Sequence, residues 1–286
     1  MSIFIKVLWI FVISSSETYT VANDLALNLA ERFFDSENYE EAISEYKRFI
    51  FYHSQSESVN YAYYKIGLAY RNEKKWNESM DALRQSIQTA ANDSIKNERE
   101  IALAIVLIAS GDYSDAEFQL LKVESFSPFS FVRHKATFFR GIASLYAYKW
   151  KAARSAFRTY FKEDSLFQVS GLVLSVDSLL LLAQHLKYKS PRLAKLLSTI
   201  FPGSGQIYVG DIRNGLNSLI INSLTGYLLV SSLINGDFTG AILSYVSLFQ
   251  RYYFGNRFHA EKITENYNDR LNKRYLKKLI ENISNE

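Results

Sequence analysis

The sequence predicts an all-α protein, built as a solenoid of helical hairpins followed by a transmembrane helical hairpin. Three observations carry this. Small, aromatic and large apolar residues recur at a step of 37 through the first half of the chain. Only 3 prolines and 12 glycines occur in 286 residues, against 20 Tyr and 20 Phe, a balance that suits long packed helices better than a turn-rich β-protein. Near the carboxy end, two long apolar runs are joined by a short polar turn.

Composition excludes several functions. A formal charge of +4 is too small to indicate nucleic acid, and no arginine-rich stretch with interleaved aromatics appears. The complete absence of cysteine removes disulfides, thiolate metal sites and a cysteine nucleophile. The apolar residues are gathered in blocks, so the 48% hydrophobic content reflects segments rather than an even spread.

The amino terminus has one early lysine, Lys6, an apolar run over residues 7–13, then Ser14, Ser15 and Ser16. Residues 1–16 therefore have the layout of a secretory signal peptide cleaved before Glu17. The apolar run is short for the ~20 residues that a membrane crossing needs. An uncleaved anchor or a buried first helix is the alternative, and each route delivers the chain to a membrane.

Four columns define the repeats over residues 23–163. Ala30, Gly67, Ala104 and Gly141 lie 37 apart, as do Tyr39, Trp76, Tyr113 and Trp150. Ala42, Ser79, Ala116 and Ala153 form a third column, and Tyr46, Leu83, Leu120 and Phe157 a fourth. Small residues on both helices of a pair let the backbones approach, while an aromatic at the start of the second helix fills the turn. The segments Asn38-Tyr39-Glu40-Glu41-Ala42 and Gly111-Asp112-Tyr113-Ser114-Asp115-Ala116 resemble the second-helix start of the tetratricopeptide repeat. The step of 37 exceeds the usual 34 of that family. Residues 164–188 leave the columns, and their apolar stripe, including Val169, Val176 and Leu180, predicts a helix capping the last repeat. A third membrane helix is the alternative, opposed by Asp177, which would cost roughly 3 kcal/mol at a bilayer centre.

Residues 189–260 form the predicted membrane domain, with transmembrane helices at about 215–234 and 238–254 joined by Asn235-Gly236-Asp237. Pro202, Gly203, Gly205, Gln206, Tyr208 and Gly210 make the turn by which the chain enters the membrane: Pro202 ends a helix and the glycines permit a sharp reversal. The Ser190-Pro191-Arg192-Leu193-Ala194 segment, this turn and Gly215 resemble the TM-two-type membrane domain, and also the end of bacterial envelope proteins joining such a module to helical repeats. The resemblance implies membrane location. Gln206-Ile207-Tyr208 stands where an aromatic and basic turn is commoner in that family, so no ligand-binding role carries over. Without Lys-Ser/Thr or a full dinucleotide fingerprint, the closely spaced glycines make no phosphate loop.

No catalytic constellation is legible. His53, His134, His185 and His259 are far apart and lack metal-ligand spacing, and read as isolated surface residues. Glu40-Glu41 and Glu98-Arg99-Glu100 sit at predicted helix starts, where carboxylates favour the dipole. The chain is expected to be no enzyme and to take no cofactor, metal or small-molecule substrate.

In tetratricopeptide folds the first helices of the repeats line a concave groove. The resemblance places Leu27, Phe34, Tyr61, Tyr64, Leu68, Ile101, Ile105, Ile108, Phe138, Ile142, Leu145 and Tyr146 on it. The expected function is a membrane-anchored envelope scaffold that holds a partner protein or peptide in this apolar groove and sits in the bilayer through its hairpin. The alternative gives the hairpin the activity, as a subunit of a transport or lipid-handling complex, with Asn217 and Asn222 on its first span. Leader cleavage would place the repeats outside the cytoplasm, whereas the cations flanking the hairpin, Lys187, Lys189, Arg192 and Lys195 before it and Arg257, Lys262 and Arg270 after it, favour the cytoplasmic side. Residues 261–286 read as an amphipathic basic tail, with Tyr267, Leu271, Tyr275, Leu279 and Ile283 on one face. It suits either anionic lipid or an ordinary surface packing.

Overall fold

The computed structural model describes residues 25–163 and 171–284, so the expected leader at 1–16 and residues 164–170 of the expected cap lie outside the described residues. Every regular element among the described residues is helical. The chain divides into two compact units, Met1–Gln184 with Leu279–Glu286, and His185–Lys278.

The first unit contains α1 (Leu25–Asp35), α2 (Tyr39–Tyr52), α3 (Val59–Asn72), α4 (Trp76–Gln88), α5 (Asp93–Ser110), α6 (Tyr113–Phe126), α7 (Ser130–Tyr146), α8 (Trp150–Glu163) and α9 (Gly171–Ala183). Each packs on its successor in chain order, and α5 also packs on α7. The aromatic column marks boundaries: α2, α4, α6 and α8 each begin on it, at Tyr39, Trp76, Tyr113 and Trp150.

A further column emerges just before those aromatics. Glu37, Lys74, Gly111 and Tyr148 all have left-handed backbone, with φ of 61, 61, 98 and 58°. The four turns share one pair of closing bonds. The amides of Glu37, Lys74, Gly111 and Tyr148 donate to Phe34, Arg71, Ile108 and Leu145, and those of Asn38, Lys75, Asp112 and Lys149 donate to Phe33, Tyr70, Leu107 and Ser144. This is the Schellman helix ending, which wants glycine at its left-handed residue. Only Gly111 complies, because the side chain offers no cue that hydrogen bonding has forced φ positive. Left-handed backbone costs a non-glycine residue roughly 1–2 kcal/mol, part of which glycine's greater unfolded-state entropy offsets. Lys74→Gly is therefore expected to stabilise the repeats by about 0.5 to 1 kcal/mol, measured by denaturant unfolding followed through Trp76 fluorescence.

The small-residue column performs the close approach inferred for it. A Cβ on Gly67 would lie 2.7 Å from Leu83 Cγ, and one on Gly141 would lie 3.0 Å from Phe157 Cε1. Ser79 Oγ donates to the Gly67 carbonyl at 2.7 Å. Columns one, three and four thus meet at a single crossing, where a larger side chain would overpack the pair.

Helix α9 packs on α8 through buried Val176, Leu180 and Ala183. Its Asp177 accepts from Arg154 Nε and Nη2, both at 2.8 Å. That fork holds the Asp177 carboxyl below its ordinary value through the hydrogen bonds and charge of Arg154. Because the folded-state pKa is depressed, the contribution is full above the unfolded value near 4 and disappears as pH falls through the folded value. Asp177→Asn should lower stability by about 1 kcal/mol at neutral pH, with the gap to the unaltered chain closing below about pH 4; paired melts across pH 3 to 7 check this.

The second unit contains α10 (Pro191–Ile200), α11 (Ser204–Val209), α12 (Ile212–Ile234), α13 (Phe238–Ser244), a π-helical turn (Tyr245–Phe249) and α14 (Gln250–Ser284), whose residues up to Lys278 belong to it. Helix starts carry their own caps. Ser190 accepts from the Leu193 amide ahead of Pro191, Asp211 from Asn214, and Asp237 from Gly240. Helix α12, of 23 residues, is the one helix among the described residues long and apolar enough to cross a membrane. The second expected span, 238–254, is shared by α13, the π turn and the first residues of α14, with Arg251 near the end of its apolar run. Helix α14 runs unbroken through residue 261, where the basic tail was expected to begin.

Candidate functional site

Two sets of residues were singled out in the sequence, and the structure treats them differently. Of the twelve groove positions, Leu27, Leu68, Ile101, Ile105, Ile108 and Leu145 are buried side chains, not an open lining. The reason is plainest for α5, which packs against α4, α6 and α7, so that residues 101–108 are buried around the whole helix. Ile101, Ile105 and Ile108 share a core with Leu83, Leu120 and Phe139. The other six, Phe34, Tyr61, Tyr64, Phe138, Ile142 and Tyr146, are half-buried.

Charged partners missed by the apolar reading sit among those six. Lys65 Nζ lies 2.8 Å from Glu31 and 3.9 Å from the Phe34 ring centroid. Glu31 also accepts from the Tyr46 hydroxyl. Burial, followed by the neighbouring Glu31 carboxylate, pushes the Tyr61 hydroxyl well above its ordinary pKa. The Arg99 guanidinium stacks over Tyr64 at 3.7 Å. Arg99 is only 3% exposed, and its Nε and Nη2 have no hydrogen-bond partner among the described residues. The sequence signal was present: Glu31, Lys65 and Arg99 stand one to four residues from groove positions, but reading only apolar periodicity passes over them. The arrangement suits contact with an aromatic or polar surface more than proton transfer. His53 and His134 are not isolated, for they stack on Phe49 and Tyr160, with centroids 5.1 and 4.1 Å apart.

The glycine turn converges far more tightly. Gly203 and Gly210, with φ of 93 and 92°, bracket α11 and reverse the chain between α10 and α12. A Cβ on Gly203 would lie 2.0 Å from the Gly215 carbonyl oxygen, and one on Gly205 would lie 2.1 Å from that of Ala194. Gly203 and Gly205 thus serve close backbone approach as well as reversal. Gln206, 1% exposed, is the hub. Its Oε1 accepts from Ser198 Oγ at 3.0 Å, and its Nε2 donates to Asn256 Oδ1 at 2.7 Å. Asn256 Oδ1 also accepts from the Gly203 amide at 3.2 Å, and Asn256 Nδ2 donates to the Ser198 carbonyl at 3.2 Å. Ser198 Oγ in turn accepts from the Gly205 amide at 2.9 Å.

Polar pairing continues along α10 and α14, which run antiparallel. Tyr253 donates to the Thr199 carbonyl at 2.8 Å, Lys195 pairs with Glu261 at 2.7 Å, and the Asn268 amide exchanges two bonds with the Lys189 backbone. Tyr208 carries the Lys189 ammonium over its ring at 4.7 Å. Pro202 is half-buried and follows the end of α10. Of this network the sequence reading named Pro202, Gln206, Tyr208 and the glycines as the turn, and Lys189 and Lys195 only as flanking cations. The missed signal was a small and amide stripe, Asn256, Ala260, Thr264, Asn268 and Asn272, at a spacing of four from the end of the expected membrane domain into the expected tail.

The surface of α12 is inverted relative to a soluble helix. Gly215, Asn222 and Thr225 are its buried residues, while Ile220, Leu224, Tyr227 and Ile234 are more than half exposed. Only 11% of its most apolar stretch is buried within the structure. Comparison with protein-family models and with curated proteins finds no match to this chain.

Proposed function

We propose that this chain is a non-catalytic, membrane-anchored scaffold of the tetratricopeptide kind. In this reading the second unit sits in a bilayer and the repeats hold a partner protein or peptide. One observation carries the anchoring: the inverted burial of α12, with most of its leucines and isoleucines outward and Gly215, Asn222 and Thr225 inward. So large an apolar surface is costly in water and favourable in hydrocarbon, where helices associate instead through small and polar residues. The return through residues 238–254 makes a two-pass hairpin whose far side is again apolar, at Phe238, Ile242 and Val246. Cleavage of the leader after Ser16 would leave the repeats on the extracytoplasmic side of a bacterial envelope.

The partner surface is narrower than the apolar groove first read. It comprises Phe34, Tyr61, Tyr64, Phe138, Ile142 and Tyr146, with Lys65 and Glu31 beside the first of them. The alternative, in which the hairpin acts in transport or lipid handling, draws on Asn222, whose buried Oδ1 accepts no hydrogen bond among the described residues. Photocross-linkers placed singly at Tyr61, Ile142 and Leu224 of the full chain in intact membranes separate the two. A protein adduct specific to the repeat positions supports the scaffold. Adducts confined to Leu224 overturn it in favour of the hairpin, and recovery of the chain in the soluble fraction overturns the anchoring.

A further inference from the structure

The repeat step of 37 sets Arg99 of α5 in a column with Ala62 of α3 and Ala136 of α7. Both alanines are 0% exposed and Arg99 is 3% exposed, so one repeat buries a guanidinium where its neighbours bury a methyl group. Arg99 Nε and Nη2 have no hydrogen-bond partner among the described residues, so neither Glu98 nor Glu100 beside it in sequence bonds to them. Glu100 turns instead to Lys122 at 3.2 Å, and Glu31 is held by Lys65 and Tyr46. The Tyr64 ring covers a face of the guanidinium but offers no acceptor to its edge. An unpaired buried charge is costly, and the alanines of the adjoining repeats show that the architecture does not demand one here. Nε and Nη2 form the edge by which an arginine grips a planar carboxylate through two parallel bonds. This chain uses that edge elsewhere, Arg140 on Glu124 at 2.6 and 3.1 Å and Arg154 on Asp177 at 2.8 Å in both bonds.

We propose that Arg99 is a specificity site for the partner, whose aspartate or glutamate side chain it grips through Nε and Nη2. Tyr64, half-buried on the partner surface, swings from the guanidinium as the carboxylate enters and then packs on the partner's apolar residues. A side chain suits the depth of the site. Its methylene stem reaches a guanidinium beneath the surface while the partner's backbone stays at the rim. A chain-terminal carboxylate would draw backbone amides in after it, where they would need partners of their own. The inference rests on the reading of the repeats as a partner surface, and it narrows that partner to an apolar segment carrying an acid.

The probe is a library of random peptides displayed on phage without a free carboxy terminus, selected on the full chain in detergent micelles against protein-free micelles. Selected peptides should share an acidic residue among apolar ones. Exchanging that acid for its amide should weaken binding to the native chain at least about tenfold and leave binding to Arg99→Met unchanged, so the two changes are coupled rather than additive. Arg99→Met should melt at or above the native temperature, because an apolar side chain replaces an unpaired charge. If it melts lower, Arg99→Lys takes its place in the cycle: it keeps the charge without the fork, and the amide exchange should then cost clearly less than in the native chain. Selected peptides without an acid, or an amide exchange that costs every chain the same, overturn the inference and leave the partner surface standing. If no peptide is selected over the micelles, the partner reading itself fails. The site is then read from melts in sodium acetate against sodium chloride at equal ionic strength, where a rise in the native chain that is absent from the Arg99 variant sustains the carboxylate site and equal behaviour overturns it.

Discussion

Gly205→Ala is expected to unfold the α10 to α12 region of the second unit, at a cost of more than about 3 kcal/mol. The added methyl would stand 2.1 Å from the Ala194 carbonyl oxygen and 2.6 Å from Ser198 Oγ. The first of these is backbone inside a helix and cannot swing away, so α10 and α11 must separate, taking the Gly205 to Ser198 hydrogen bond with them. Hydrogen exchange on the detergent-solubilised chain reads this directly: amides of residues 194–209 should lose protection while those of α3 and α4 keep theirs. Protection unchanged at 194–209 would show that the helices part without cost and that the close approach is not needed.

Asn256→Ala ranks with it. The substitution leaves the Gly203 amide, one Gln206 donor and the Ser198 carbonyl without their partner. Unpaired buried polar groups cost about 1–3 kcal/mol each, so a loss of roughly 3 to 5 kcal/mol is expected once some relaxation is allowed. Asn256→Asp is the informative companion. It keeps both acceptor bonds and loses only the donor to Ser198, so at neutral pH it should fall between Asn and Ala unless the buried charge itself proves costlier. Resistance of the solubilised chain to unfolding by a denaturing detergent ranks the three variants.

The repeat unit was legible from sequence because its determinants are side chains at a fixed step. Gly67 facing Leu83, and Trp76 opening α4, are consequences of size and shape that the columns display. The left-handed turn at Glu37, Lys74 and Tyr148 was not legible, since its cause is the hydrogen bonding of the helix end and three unlike residues submit to it. The burial of half the groove positions escaped it for a related reason. Period places Ile101, Ile105 and Ile108 on one face of α5, yet period cannot say that neighbouring helices close over that face. In the second unit Gln206 and the glycines stood out through composition. Asn256 and Asn268 stayed hidden, because their partners lie 50 or more residues away and amides are ordinary on any solvated helix.

The inward polar side chains of α12 also bear on how the protein would be made. Ser218, Asn222 and Thr225 lie on the side of α12 turned from the exposed apolar residues, and Gln206 reaches Ser218 Oγ at 3.4 Å. Emerging alone from the ribosome, α12 would have to turn those groups to lipid, where Asn222 and Thr225 keep only the bonds they make to the Ser218 and Asn222 carbonyls of their own helix, and this opposes partitioning. The groups that complete its neighbourhood, Phe249 near Gly226 and Asn256 beside Gln206, are synthesised after α12 has ended at Ile234. On the anchoring proposed above, insertion of α12 together with the chain up to Asn256 is the energetically favoured order, and truncation just after Ile234 should weaken insertion of α12 even though every one of its own apolar residues is present.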